Sequence, residues 1–333
     1  MHSLDPVLSP APNEAEDSRA RLEELRAFLE ASLVGGAALV ERMLIGLLAD
    51  GHLLIEGAPG LAKTRAVKLL ARGLNVGFAR IQCTPDLMPA DLTGTSIWRQ
   101  DRGLFEFSAG PVFHSLVLVD EINRAPPKVQ SALLEAMAER QATAAGVTRA
   151  LPDPFMVVAT QNPIEHEGTF RLPEAQLDRF MLHVELALPD AAIERKILDL
   201  VEHETSHVAP SFDAPLSAQD VAAARKAARR VYLSPAVKDY VVRLVTAPRD
   251  KDFAPAIRGK IEYAASPRGT LALAMAAKAR AFLQGRDHVL PQDVAELATD
   301  VLSHRTTLTW RALADGVTAR EVIGDYLDLV AAA

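Results

Sequence analysis

The chain has 333 residues, 49% hydrophobic and 24% charged, a composition that suits roughly two packed domains and excludes a disordered or low-complexity chain. Acidic residues (43) outnumber basic ones (36), and the net charge of −7 argues against a global attraction to nucleic acid or anionic membrane. The single cysteine, Cys83, rules out an internal disulfide and suits a reducing compartment, so a cytoplasmic location is expected.

The opening "MHSLDPVLSPAPNEAED" lacks hydrophobic periodicity and is rich in prolines and acids, so residues 1–17 are expected to form a mobile tail. No apolar run reaches the roughly 18 residues of a spanning helix, and no Lys or Arg precedes Arg19; neither a membrane span nor a targeting segment is expected. From 18 to 188 the chain alternates between helical patterns and short apolar runs, "HLLIE" (52–56), "ARIQC" (79–83), "SLVLVD" (115–120), "FMVVAT" (155–160) and "MLHVEL" (181–186). These read as strands of an α/β core with a mostly parallel, helix-covered sheet, and "LVLVD" suits a central strand buried on both faces. Residues 189–333 change to alanine-rich helical segments with start signals, such as "SPAVKDYVVRLV" and "SPRGTLALAMAAKARAFL", and read as an all-helical second domain. Thr318 and Glu321 have capping-box spacing before the last helix.

"GAPGLAKT", residues Gly57, Ala58, Pro59, Gly60, Leu61, Ala62, Lys63 and Thr64, lies between a strand and a helix. Glycines there let backbone N–H groups turn inward around phosphate oxygens, and the helix N-terminus adds partial positive charge. Lys63 is then placed to reach the outer phosphates and Thr64 to hold magnesium, although the general pattern has glycine where this chain has Ala62. Asp120 and Glu121 end an apolar strand, where an acid pair can hold magnesium and polarise an attacking water. "FMVVATQNP" ends in Gln161 and Asn162; Asn162 either contacts that water or the γ-phosphate, or forms an ordinary Asn-Pro turn. Arg179 and Arg268, otherwise surface arginines, are candidates to neutralise charge on a transferred phosphoryl group.

"HETSH" (203–207) matches the zinc pattern HExxH, but it lies in a polar segment soon interrupted by Pro210, with no obvious third ligand, and it is rejected. His183 and His304 are read as packed or capping residues, and Cys83 as a small buried hydrophobe.

In this order the motifs resemble an AAA+ ATPase and, more closely, the MoxR family, through "GAPGLAKT", "PVFHSLVLVDEINRAPPKVQSALLEAMAERQAT", "VVATQNPIEHEGTFRLPEAQLDRF" and "SPRG". The resemblance covers nearly everything from about Leu22 onward, and Ala62 is usual in this family. It implies a P-loop NTPase core with a C-terminal helical lid, binding ATP and Mg2+ between core and lid. Lys63 and Thr64 become the Walker A pair, Asp120 and Glu121 the Walker B pair, Asn162 sensor one, Arg179 an arginine finger entering a neighbouring subunit's site, and Arg268 the sensor-two arginine of the lid. A homo-hexamer follows, remodelling or activating a client protein, often with a von Willebrand A-domain partner. The resemblance also implies an insert near Pro85 to Val112, with "IWRQDRGLFEF" as a hairpin, and a second hairpin near Ala142 to Pro154. Arg171 stands where relatives commonly carry proline, and Arg124 is either a second cross-subunit contact or a surface arginine at a helix start. The alternatives are a nucleic-acid-translocating motor, disfavoured by the acidic balance, and a nucleotide-dependent scaffold with little turnover.

Overall fold

The structure is a computed structural model that describes residues 12–162, 168–206, 212–250, 252 and 254–330. All five expected strands form one parallel sheet: β1 (Leu53–Gly57), β2 (Phe78–Gln82), β5 (Leu116–Asp120), β8 (Met156–Gln161) and β9 (Leu182–Leu186), in the order β2-β5-β8-β1-β9. Two antiparallel hairpins interrupt it, β3 (Gly94–Arg99) with β4 (Leu104–Ala109), and β6 (Gln141–Ala144) with β7 (Val147–Ala150). They coincide with the two expected hairpins. Arg149 of the second stacks over the Phe107 ring of the first at 3.7 Å, so the two project as one unit.

Helices α1 (Pro12–Ser32) and α2 (Ala37–Leu48) precede β1, and α3 (Lys63–Gly73) follows the glycine-containing loop. Then come α4 (Pro89–Thr93), α5 (Pro127–Glu139), α6 (Glu174–Leu177) and α7 (Ala191–Ser206). The C-terminal region holds α8 (Ala218–Arg230), α9 (Pro235–Thr246), α10 (Pro255–Arg258), α11 (Pro267–Leu283), α12 (Pro291–Leu302), α13 (Trp310–Ala314) and α14 (Ala319–Leu327). Ser217, Ser234, Ser266 and Thr318 cap four of these helices with their hydroxyls, and Thr318 and Glu321 form the expected capping box. This region is not wholly helical, because Ile261 pairs with Leu308 in a short antiparallel ladder.

Period-two alternation assigns the strands' side chains to two cores. Leu53, Ile55, Leu116, Leu118, Met156 and Val158 face one, while Leu54, Val117, Val119, Val157 and Ala159 face the other with α5. The first core runs without a break through α1 and α2 into α8, α9, α11, α12 and α14. The helical region therefore shares its core with the sheet domain.

Part of the expected tail is helical. Residues 12–17 open α1, while residues 1–11 lie outside the described residues. Proline at the first helical position and acids in the opening turns favour a helix start there. Leu22, Leu25, Leu29 and Leu33, at 6% exposure or less, recur at helical spacing, and Arg21 bridges to Asp220 of α8 at 2.5 Å.

Leu25→Ala is expected to cost about 2–5 kcal/mol. Urea unfolding followed by circular dichroism and by tryptophan fluorescence should give coincident single transitions, shifted to lower midpoint, because one core spans both regions; separate transitions would contradict that.

Candidate functional site

At the carboxyl end of β1 the chain leaves the sheet through residues 57–62 and re-enters regular structure at Lys63, the first residue of α3. Gly60 (φ 89°) and Ala62 (φ 53°) both take left-handed backbone. The glycine of the general loop pattern is explained by the conformation of Ala62, which an alanine adopts at a cost of about 1–2 kcal/mol. The Lys63 ammonium donates to the carbonyls of Gly57 (2.7 Å) and Ala58 (3.3 Å), so it lies folded over the loop. Desolvation lowers its pKa, and Asp120, Glu121 and Glu56 pull it back towards the charged form. Thr64 follows, half-buried.

Asp120 ends β5, which lies next to β8 in the sheet, and is 7% exposed. Its Oδ1 accepts from the Thr160 hydroxyl (3.1 Å) and its Oδ2 from Arg80 Nε (2.6 Å). Glu121 is also left-handed (φ 56°), and its backbone N–H donates to the same Thr160 oxygen at 3.0 Å. Thr160 thus fastens both acids' positions. Arg124 donates to Glu121 Oε2 at 3.2 Å, which places it on its own chain's acid pair. Buried Asn162 follows β8 at the same edge. Beneath the turn, buried Gln130 of α5 lies 3.1–3.3 Å from the carbonyls of Ile122, Ala125 and Phe170, tying the chain after the acids to the segment before α6.

Thr160, Arg80 and Gln130 were not singled out in the sequence. Gln130 had a readable signal, a polar residue on the buried stripe with Leu133, Leu134 and Met137. Thr160 had a weaker one, a hydroxyl in an otherwise apolar strand.

Arg179 and Arg268 lie elsewhere. Asp50 to His52 precede β1 and Asp178 to Met181 precede β9; since β1 and β9 are parallel, both segments sit at the amino edge of the sheet. There a cleft of roughly 390 Å³ gathers Arg140, Arg179, Arg268 and Arg305 with Asp50 and Asp178. Arg268 is 3.7 Å from Asp178, buried Arg305 holds the same carboxylate at 2.8 Å, and Arg179 donates to the Leu134 carbonyl at 2.5 Å. A five-residue strand separates this cleft from Lys63 by about 17 Å. Arg268, at the start of α11, thus lies across the sheet from the loop of its own chain. The first helix after the sheet, α7, does remain beside α3, through an Arg65–Glu204 ion pair. Arg171 is exposed.

The carboxyl-edge donors fit a triphosphate with a divalent cation: an ammonium beside a helix N-terminus, a hydroxyl at Thr64, and the Asp120 carboxylate with lone pairs left on both oxygens. Cys83 is buried and its thiol is pushed up to about 12, chiefly by desolvation, which makes it a poor nucleophile. His203 lies on α7, and His207 falls outside the described residues. His304 is held well below its ordinary pKa, first by burial and then by Arg305, and faces the Phe180 carbonyl at 2.9 Å. Among the described residues no helix is long and apolar enough to cross a membrane.

Residues 52–182 match the family described as "ATPase family associated with various cellular activities (AAA)", and residues 254–326 match "AAA lid domain". The chain is 45% identical to Chaperone MoxR1 of Mycobacterium tuberculosis, covering 99% of this chain and 88% of that protein. It is 32% identical to Protein MoxR of Methylorubrum extorquens, over 88% of each. A crystal structure from Cytophaga hutchinsonii, 40% identical, superposes with a TM-score of 0.87 over 96% of this chain and 97% of that one.

Thr160→Val keeps the shape but leaves the Glu121 N–H without its acceptor. A loss of about 1–3 kcal/mol is expected in denaturant titration, against near-neutrality if the hydroxyl were incidental.

Proposed function

We propose that this chain, which belongs to the MoxR family of AAA+ ATPases, hydrolyses ATP with Mg2+ in a homo-oligomeric ring and uses the cycle to remodel or activate a client protein. The observation that carries the reading is the division of charge between the two edges of the sheet. Lys63, Thr64, Asp120, Glu121 and Asn162 gather at the carboxyl edge, and Arg179 and Arg268 at the amino edge. Neither half is sufficient for phosphoryl transfer, which needs its developing charge neutralised as well as its water prepared. A head-to-tail contact, amino edge of one copy to carboxyl edge of the next, completes each site, and such heterologous contacts form a ring when the rotation between copies closes.

In this reading Lys63 neutralises charge on the outer phosphates. Thr64 and Asp120 hold Mg2+, which supplies electrostatic stabilisation of the phosphate oxygens when bound. Glu121 orients and accepts a proton from the attacking water, once the Arg124 guanidinium yields its hold on the carboxylate. Asn162 fixes the water by hydrogen bonding, and Arg179 and Arg268 arrive from the adjacent copy. The client interaction rests on the chaperone named among the relatives. A von Willebrand A-domain partner and a cytoplasmic location belong to the same reading, and nucleic acid is disfavoured by the net charge of −7.

Lys63→Ala is expected to lose tight nucleotide binding in a fluorescent-nucleotide titration, since no other cation in the described loop can replace it. Glu121→Gln and Arg179→Ala should each bind ATP yet hydrolyse it about a thousandfold or more slowly. Mixing these two inactive proteins should restore measurable phosphate release, because some interfaces then pair an intact Glu121 with an intact Arg179. If the mixture stays inactive while its rings exchange subunits, or if Arg179→Ala alone turns over like the wild type, the shared site is wrong. ATP-loaded Glu121→Gln protein is the form with which to capture the client.

A further inference from the structure

A second cluster of ligating side chains lies on the sheet, apart from the acids just described. On β1 and β9 the residues Leu53, Ile55, Leu182 and Val184 point into the core, so Glu56, His183 and Glu185 share the opposite face. Glu56 and Glu185 are register partners, which sets two carboxylates side by side across neighbouring parallel strands. Like charges in that position repel and weaken a sheet unless something cationic stands between them. His183, two residues before Glu185, puts its Nε2 2.9 Å from Glu56 Oε2. One ligand atom from each of the three side chains can be chosen so that all lie within 4.8 Å of one another. The His304 ring meets the His183 ring edge-on at 5.8 Å, restricting its rotation.

We propose that Glu56, His183 and Glu185 form a three-ligand site for a borderline divalent metal such as Zn2+. One imidazole nitrogen with two carboxylates suits Zn2+, Co2+ or Ni2+, whereas Mg2+ prefers oxygen and water alone. Tetrahedral donors at zinc bond lengths sit about 3.3 Å apart, and rotation of Glu185, whose side chain is 47% exposed, supplies the closure. Water takes the fourth position. The competing cation is Arg320, 3.4 Å from Glu185 Oε2 and anchored independently to Asp300 at 2.8 Å and to the His183 carbonyl at 3.3 Å. The sequence reading of His183 as a packing residue describes one of its contacts, with His304, and misses its convergence with the two acids. The ion would lie one residue before Gly57, at the start of the phosphate loop, and its binding requires no nucleotide.

The test is calorimetric titration of the EDTA-stripped full chain with ZnCl2, without ATP or Mg2+. One Zn2+ per chain is expected with micromolar affinity. His183→Ala and Glu185→Gln should each weaken it at least about tenfold, and Arg320→Gln should tighten it by removing the competing guanidinium, a gain that a purely structural role would not produce. Lys63→Ala and His203→Ala should leave it unchanged, which separates the site from the phosphate loop and from the HExxH segment. Absence of saturable binding, binding unmoved by both His183→Ala and Glu185→Gln, or binding lost in His203→Ala would overturn the proposal.

Discussion

Every strand of the central sheet runs the same way, and the rest of the molecule depends on that. In a parallel sheet all carboxyl ends open on one edge and all amino ends on the other. The loop after β1, the acids after β5 and Asn162 after β8 must therefore meet, while Arg179, which precedes β9, cannot join them. A strand's length keeps the two chemistries apart. Within one chain the fold therefore sets the loop and the acids on one edge of the sheet and Arg179 and Arg268 on the other.

The carboxyl edge is held in order by strain and by hydrogen bonds that are invisible at its surface. Ala62 and Glu121 both occupy left-handed backbone, at the two points where the chain must turn to present a helix N-terminus and a carboxylate to the same space. Such conformations persist only where surrounding contacts over-determine them. Thr160 supplies part of that for Glu121, accepting its N–H while donating to Asp120, and Gln130 secures the turn beyond. Arg80 and Arg124 add one guanidinium to each acid, so both carboxylates already have a cationic partner within the chain. Any cation or water that uses these acids must share or displace those partners.

The helical region is bound to the sheet domain by a common core rather than by a linker. α2 lies between β9 and the helices α8 and α11, and α1 packs on α2, α3 and α8, so their leucines join the sheet's core to that of the helical region. Buried Arg225 of α8 reinforces this, donating to the Leu47 carbonyl at 2.8 Å and pairing with Asp50 and Asp153 at the amino edge. That arrangement carries α11, and with it Arg268, to the arginine-rich edge.

By itself the sequence determined what is local. Short apolar or alternating runs located the five strands, helical spacing and start signals located the longer helices after residue 212, and the loop and the acid pair were legible as contiguous motifs, because each depends on residues close together in the chain. Both hairpins were expected only through the family resemblance. The family followed from the same motifs. Tertiary structure alone decided what depends on strand order and register. It put Arg268 across the sheet from Lys63, gave Thr160 its two acids, and set Glu56 opposite Glu185 beside His183. A pairing between residues more than a hundred positions apart is fixed by which strands become neighbours, and no short window of sequence carries that information.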